Sequence, residues 1–155
     1  MSLPSLLVGA AGGAAIVAVA LGLQQRRAAR KVIKTGASAF YNGAHVVNGV
    51  VYVSGQVAVA GKDAMGRPLL KTGGVTAESE QAMANFKKVL EAAGSSCEKV
   101  LKMTCYLADM SDYSAFNDVY LKYFNDDATR PARVCIAVKA LPFGALVEVE
   151  GTAML

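Results

Sequence analysis

The chain has 155 residues, of which 54% are hydrophobic and 18% are charged. This composition excludes a disordered or fibrous protein, and the length predicts one compact domain with a short appendage. The formal net charge of +4 is unevenly spread, because residues 1–62 contain six basic and no acidic side chains, whereas residues 63–155 contain ten basic and twelve acidic ones. The folded part therefore lacks the excess of cations that nucleic-acid-binding surfaces carry, and we expect no nucleic-acid partner.

The N-terminus contains a long apolar run. Residues 6–23, LLVGAAGGAAIVAVALGL, include no charged side chain, and their length is about the shortest that spans a bilayer as a helix. Five basic residues follow between residues 26 and 34. The positive-inside rule then predicts a single-pass transmembrane anchor with its basic flank in residues 1–30, and a folded domain in residues 31–155 on the cytoplasmic or matrix side of a membrane.

A cleaved signal or transit segment is the alternative to an anchor. A secretory signal carries its basic residues before the apolar run, whereas here they follow it, so the anchor is the favoured interpretation. The mitochondrial inner membrane is one candidate location.

The first half of the folded part predicts strands and a tight hairpin. KVIKTG (31–36) is typical of a short strand, and AHVVNGVVYVSGQVAV (44–59) contains two β-branched runs separated by Asn48 and Gly49. These two residues tolerate the positive φ angles of a type I′ hairpin turn. Residues 61–74 are rich in Gly, Lys and Asp, which predicts a long exposed loop.

The second half predicts two helices and three more strands. Apolar residues recur at helical spacing over Thr76–Ala93, with Gly94 as a C-terminal stop, and aromatic residues do so over Met110–Phe124. The order of elements predicts an α+β fold in which both helices cover one face of a mixed sheet. Because the other face also needs cover, we expect an oligomer. The remaining strands are predicted in KVLKMTCYLAD (99–109), ARVCIAVKAL (132–141) and ALVEVEGTAML (145–155), and the helical aromatic residues Tyr113, Phe116 and Tyr120 are expected in the core.

The residue types that bind metals or act as nucleophiles are sparse. Cys97, Cys105 and Cys135 have spacings unlike those of zinc or redox motifs, and His45 has no second histidine to form a triad or a metal site. No phosphate-binding loop or nucleophile elbow is present. We therefore expect reduced thiols, no metal and no cofactor.

Several segments together carry a resemblance to a known family. VYVSGQVAV around Ser54, the helical segments MANFKKVLEAAG and LADMSDYSAFNDVYLKYF, and RPARVCIAVKALP followed by VEVEGTA resemble the Rid/YjgF reactive-intermediate deaminases over residues 31–155. The resemblance implies a chorismate-mutase-like α+β fold and a homotrimer with three sites in clefts between subunits. It implies the hydrolysis of imines and enamines released by pyridoxal-phosphate enzymes, giving 2-oxo acids and ammonia.

The resemblance also implies residue roles. Arg133 matches the arginine that holds the substrate carboxylate, which suits a planar guanidinium with a fixed fork of donors. Glu148 matches the acid that handles the attacking water, and one carboxyl group can both accept and return a proton. Cys135 matches a position whose backbone meets the substrate, and the matching lining positions are Tyr41, Ser54, Gly55 and Asn117.

Departures from the family pattern leave other interpretations open. Ala39 and Phe40 replace the usual Gly-Pro before the tyrosine, and Ala137 stands where many members have Glu. Without the resemblance, Arg133 is an ordinary ion-pairing residue and Glu148 an exposed strand residue. The alternative function is an accessory subunit of a membrane complex with incidental activity. The ribonuclease activity assigned to some relatives is disfavoured by the charge of residues 63–155.

Overall fold

The computed structural model describes residues 30–35 and 39–155, which form a mixed sheet covered by two helices. Strand β7 runs parallel to β6, and the other neighbouring strands of the main sheet are antiparallel, in the order β1-β2-β3-β8-β6-β7. The elements are β1 (Lys31–Ile33), β2 (Ala44–Val47), β3 (Val50–Val57), β4 (Val59–Lys62), β5 (Pro68–Leu70), α1 (Gly74–Ala93), β6 (Val100–Leu107), α2 (Tyr113–Tyr123), β7 (Ala132–Ala137) and β8 (Val147–Met154).

The predicted hairpin is present between β2 and β3. Val47 pairs with Val50, and the turn residues Asn48 and Gly49 have φ angles of 52° and 76°. Both angles lie in the left-handed region that a type I′ turn requires. Local turn chemistry thus fixes the register of the first two long strands.

The prediction of an exposed loop over residues 61–74 is wrong in part. Strands β4 and β5 pair there as a separate two-stranded sheet. Asp63 closes its turn, because Oδ1 accepts the backbone N–H groups of Met65 and Arg67, each at 2.9 Å, while Nε of Arg67 donates to Oδ2 at 2.6 Å. A side chain that bonds its own turn stabilises a hairpin whose composition resembles that of a loop.

The predicted helices are confirmed with small changes at their ends. Gly94 ends α1 with a φ of 95°, and a short 3₁₀ turn over Met110–Asp112 precedes α2. The core lies between these helices and one face of the sheet, and its largest fully buried side chains include Phe86, Phe116, Met83, Leu90 and Met103.

The other face of the sheet carries a different set of side chains. Among the described residues, those that alternate with the core positions are polar or partly exposed, and no described helix covers them. Tyr52, Val134, Ile136 and Met154 each expose more than a third of their surface. We call this the open face.

The predicted single-pass membrane localisation is wrong for the part of the chain that the structure describes. No helix within residues 30–35 and 39–155 is both long and apolar enough to cross a bilayer. The predicted anchor in residues 6–23 lies outside the described residues.

Gly151 of β8 provides a test of how tightly the core is packed. A Cβ at this position would lie 2.8 Å from the carbonyl oxygen of Lys102 and 2.9 Å from Cζ of Phe86. We predict that Gly151→Ala lowers the free energy of unfolding by about 1–3 kcal/mol in urea titrations, because overpacking displaces a buried ring.

Gly61→Ala is the matched control. It also lies in a strand, but a Cβ added there would have no heavy atom within 4 Å, so a change within about 0.5 kcal/mol is expected. Equal effects of the two substitutions would contradict the packing explanation.

Candidate functional site

Arg133 and Glu148 lie on opposite faces of the sheet within one chain. Cys135 pairs with the buried Cys105, so this row of β7 faces the helices, and Arg133 shares its face because the two residues are two positions apart. Glu148 pairs with Tyr106, which is adjacent to Cys105 in β6 and therefore points the other way. The predicted site residues thus form two groups.

The first group surrounds the guanidinium of Arg133. Nη1 donates to Oδ1 of Asn117 at 2.8 Å, and Nη2 donates to the hydroxyl oxygen of Tyr113 at 3.0 Å. These two bonds use two of the five N–H groups of an arginine, and the other three have no acceptor among the described residues. Arg133 is therefore held by neutral groups rather than by a carboxylate, which keeps its charge available.

An aromatic surface also supports this guanidinium. Its central carbon lies 4.4 Å from the ring centroid of Tyr120, 5.6 Å from that of Tyr113 and 6.0 Å from that of Phe116. Arginine stacks favourably on such rings. The expectation that all three aromatic residues belong to the core is correct for Phe116 and Tyr120, but Tyr113 is 38% exposed.

Tyr113 is therefore a contact of Arg133 that sequence reasoning missed. Its helical spacing with Asn117 was a usable signal, because residues four apart lie on one side of a helix.

The second group surrounds the carboxyl of Glu148. A Cβ on Gly55 would overlap Oε1 of Glu148, so the carboxyl lies directly against the backbone of β3. The register between β3 and β8 shifts between Val53 and Gln56, which places Gly55 in an irregular stretch of the strand. Only glycine at this position leaves room for the observed carboxyl.

The environment of Glu148 disfavours its charged form. Burial raises the pKa of the Glu148 carboxyl above its usual value, and the neighbouring Glu150 raises that pKa further. Glu150 itself accepts a hydrogen bond from the hydroxyl of Tyr106 at 3.3 Å. A carboxyl with a raised pKa holds a proton more readily than an ordinary glutamate does.

Ser54 connects the Glu148 group to the backbone of residues 42 and 43. Its hydroxyl donates to the carbonyl of Asn42 at 2.8 Å, and its backbone N–H donates to the carbonyl of Gly43 at 2.9 Å. Tyr41 directly precedes this segment and is exposed. Ser54 and Gly55 therefore lie together with Glu148, whereas Asn117 and Cys135 lie with Arg133.

The cysteines show no sign of an activated thiol. Burial raises the pKa of Cys135 above its usual value, and burial raises the pKa of Cys105 to about 12. All three cysteines are free thiols. Among the described residues, no group of three or more His, Cys, Asp or Glu side chains is placed to hold a metal ion.

Comparison with known proteins identifies the family. The family model described as endoribonuclease L-PSP matches residues 33–155. The chain is 40% identical over 129 residues to the 2-iminobutanoate/2-iminopropanoate deaminase of Bos taurus, and the match covers 81% of this chain and 90% of the relative. The chain belongs to the Rid/YjgF (L-PSP) family.

Solved structures of Rid proteins share its fold. RidA from the Antarctic bacterium Psychrobacter superposes with a TM-score of 0.69 at 33% identity, covering 81% of this chain and 99% of that one. The Escherichia coli protein TdcF with bound serine superposes with a TM-score of 0.70 at 29% identity, covering 81% and 98%. The predicted α+β fold with a mixed sheet and two helices is therefore confirmed.

Glu150→Gln tests the electrostatic part of this description. Removal of the neighbouring negative charge should lower the pKa of Glu148, while leaving it above the ordinary value because burial is the larger cause. Titration of the glutamate side-chain carbons by NMR measures this shift. Glu98→Gln, at an exposed position of a 3₁₀ turn, is the control and should leave the titration of Glu148 unchanged. An unaltered titration in Glu150→Gln would show that the two carboxyls do not interact.

Proposed function

We propose that this Rid-family chain hydrolyses 2-imino and 2-enamino acids, such as 2-aminoacrylate, to 2-oxo acids and ammonia. The observation that carries the proposal is one matched pair of groups: a guanidinium held only by neutral acceptors, and a carboxyl whose pKa is raised. The name of the bovine relative, a 2-iminobutanoate/2-iminopropanoate deaminase, supports the same reaction.

Arg133 binds the carboxylate of the substrate. A guanidinium presents N–H groups in a rigid plane, so two of them can bind both oxygens of one carboxylate. Asn117 and Tyr113 fix this plane through Nη1 and Nη2, which sets the direction from which the substrate approaches. Holding the carboxylate also fixes the adjacent imine carbon, because the two carbons are directly bonded.

Glu148 moves the protons of the reaction. Its carboxylate takes a proton from water as the water oxygen bonds to the imine carbon, and the C=N double bond becomes the C–N single bond of a carbinolamine. The protonated carboxyl first gives its proton to the imine nitrogen, which becomes the amino group of that carbinolamine. The carboxylate then takes the proton of the hydroxyl group and passes it to the amino group, the C–N bond breaks as ammonia leaves, and the carbonyl of the 2-oxo acid forms.

A second copy of the chain completes the site. Because the two groups lie on opposite faces of one sheet, they cannot both contact one small substrate within a single chain. A neighbour packed against the open face would bring its own Arg133 group towards Glu148. We therefore propose a homotrimer with its sites between subunits.

Two other functions have less support. Ribonuclease activity is suggested by the description of the family model, yet residues 63–155 contain more acidic than basic side chains, and a surface that binds phosphates needs the opposite. The accessory-subunit alternative is based on the N-terminal anchor and on the replacement of Gly-Pro by Ala39 and Phe40, and no helix of the described residues is long and apolar enough to cross a membrane.

Substitutions of Arg133 and Glu148 should impair different steps, the first substrate binding and the second turnover. Arg133→Ala should weaken binding of the substrate, and Arg133→Lys should restore little, since a point charge cannot reproduce the fork. Glu148→Gln keeps the shape but cannot carry a proton, so turnover should fall by about 10²- to 10⁴-fold while binding survives. Calorimetry with pyruvate, the stable product, measures binding.

The assay generates 2-aminoacrylate with a serine dehydratase and follows the formation of pyruvate. Glu98→Gln is the control for an exposed carboxylate and should match the parent. If the parent protein does not exceed the spontaneous rate, the proposed function is wrong. If both site variants match the parent, the residue assignments are wrong.

Mixed oligomers test whether a site uses two chains. Arg133→Ala and Glu148→Gln chains, each inactive alone, are co-expressed in equal amounts. In a randomly assembled trimer, about one quarter of the sites would combine the intact Arg133 of one chain with the intact Glu148 of another, so activity should return to that extent. Inactive mixed oligomers, or a monomer in light scattering, would contradict sites between subunits.

A further inference from the structure

Glu78 of α1 is a buried carboxylate whose hydrogen-bond partner is a backbone N–H group. Only 7% of its surface is exposed, and Oε2 accepts the backbone N–H of Leu146 at 2.8 Å. Among the described residues, no basic side chain forms an ion pair with it. Burying a carboxylate without a cation is unfavourable, so a residue that does so invites a functional explanation.

The partner segment leads directly to Glu148. Leu146 lies two residues before Glu148, just ahead of β8, and its carbonyl accepts the backbone N–H of Ala108 at 2.9 Å. Both backbone polar groups of Leu146 are thus engaged, one by α1 and the other by the residue after β6. The position at which β8 begins is fixed from two sides.

The turn ahead of Leu146 is strained. Phe143 has a φ of 62° and a ψ of 13°, a left-handed conformation that is unfavourable for a bulky residue, and its side chain is exposed. No packing of the Phe143 ring in the core compensates for this conformation. The bond from Glu78 to Leu146 holds the end of this turn nearest to Glu148.

A second polar residue of α1 holds the other neighbour of Glu148. The side-chain amide of Asn85 donates to the carbonyls of Val57 and Val59, at 3.0 Å and 2.9 Å, and Val57 pairs with Glu148 across β3 and β8. Glu78 and Asn85 contact these backbone groups from the helix side, whereas Glu148 points to the open face. They can therefore fix the carboxyl without touching a substrate.

We propose that Glu78 is a positioning residue for Glu148, acting through its hydrogen bond to Leu146; this role rests on the proposed function. The bond needs an acceptor of the right reach rather than a negative charge. Gln has such an acceptor, Asp is one methylene shorter, and Ala has none.

The experiment compares Glu78→Gln, Glu78→Asp and Glu78→Ala in the full-length chain. We expect Glu78→Ala and Glu78→Asp to speed hydrogen exchange of the Leu146 amide and to lower kcat by about 10- to 100-fold, with a smaller change in KM, because Arg133 is not displaced. Glu78→Gln should match the parent in exchange and in kcat. Glu91→Ala, at an exposed acidic residue of the same helix, is the matched control and should match the parent in both measurements.

Two results would overturn the proposal. The first is loss of amide protection at Leu146 with kcat unchanged. The second is a Glu78→Gln protein that keeps the protection but loses activity, since the charge and not the bond would then matter. If Glu78→Ala does not fold, the comparison of Glu78→Gln with Glu78→Asp still decides between bond and charge.

A separate readout distinguishes failure of this role from failure of the proposed function. If the parent protein shows no imine hydrolysis, the proposed function is wrong, and NMR titration of Glu148 still reports on its position. A displaced carboxyl would meet more water, so Glu78→Asp should move the pKa of Glu148 towards its usual value, while Glu78→Gln should leave it raised. An identical titration in both variants would contradict the positioning role.

Discussion

The alternation of side chains across β6, β7 and β8 determines where both charged groups of the candidate site lie. Cys135, Cys105 and Val149 form one row across these strands that faces the helices, and the adjacent row, with Ile136, Tyr106 and Glu148, faces away. Arg133 belongs to the helix-facing side. A substrate smaller than the thickness of the sheet cannot contact both faces of one chain. A reaction that used both groups would therefore need a second chain.

The electrostatic states of Arg133 and Glu148 have different physical causes. Arg133 keeps its charge because its hydrogen-bond acceptors are a neutral amide and a neutral hydroxyl, supported by aromatic rings. Glu148 loses part of its preference for the charged form because burial removes water from its carboxyl and Glu150 adds a like charge. A carboxylate beside Arg133 would have compensated its charge, and a cation beside Glu148 would have lowered the pKa of that carboxyl.

Features set by neighbouring residues were predictable from the sequence, whereas those set across the fold were not. The Asn48-Gly49 hairpin and the stop at Gly94 follow from positive φ angles that few residues tolerate. The β4–β5 hairpin was missed because bonds made by Asp63 stabilise it rather than an apolar pattern. The contact between Glu78 and Leu146 joins residues 68 positions apart, and no repeating pattern in the sequence indicates it. The resemblance supplied the candidate residues, but their division between two faces required the strand register.

A backbone irregularity in one strand determines where a side chain of the neighbouring strand can lie. The register shift between Val53 and Gln56 brings Gly55 under the carboxyl of Glu148, and the missing Cβ lets that carboxyl lie against the backbone of β3. The carboxyl is partly buried, and this desolvation is the larger cause of its raised pKa. A Cβ at residue 55 would overlap Oε1 of Glu148, so the glycine determines where that carboxyl can lie although it has no ionisable group of its own.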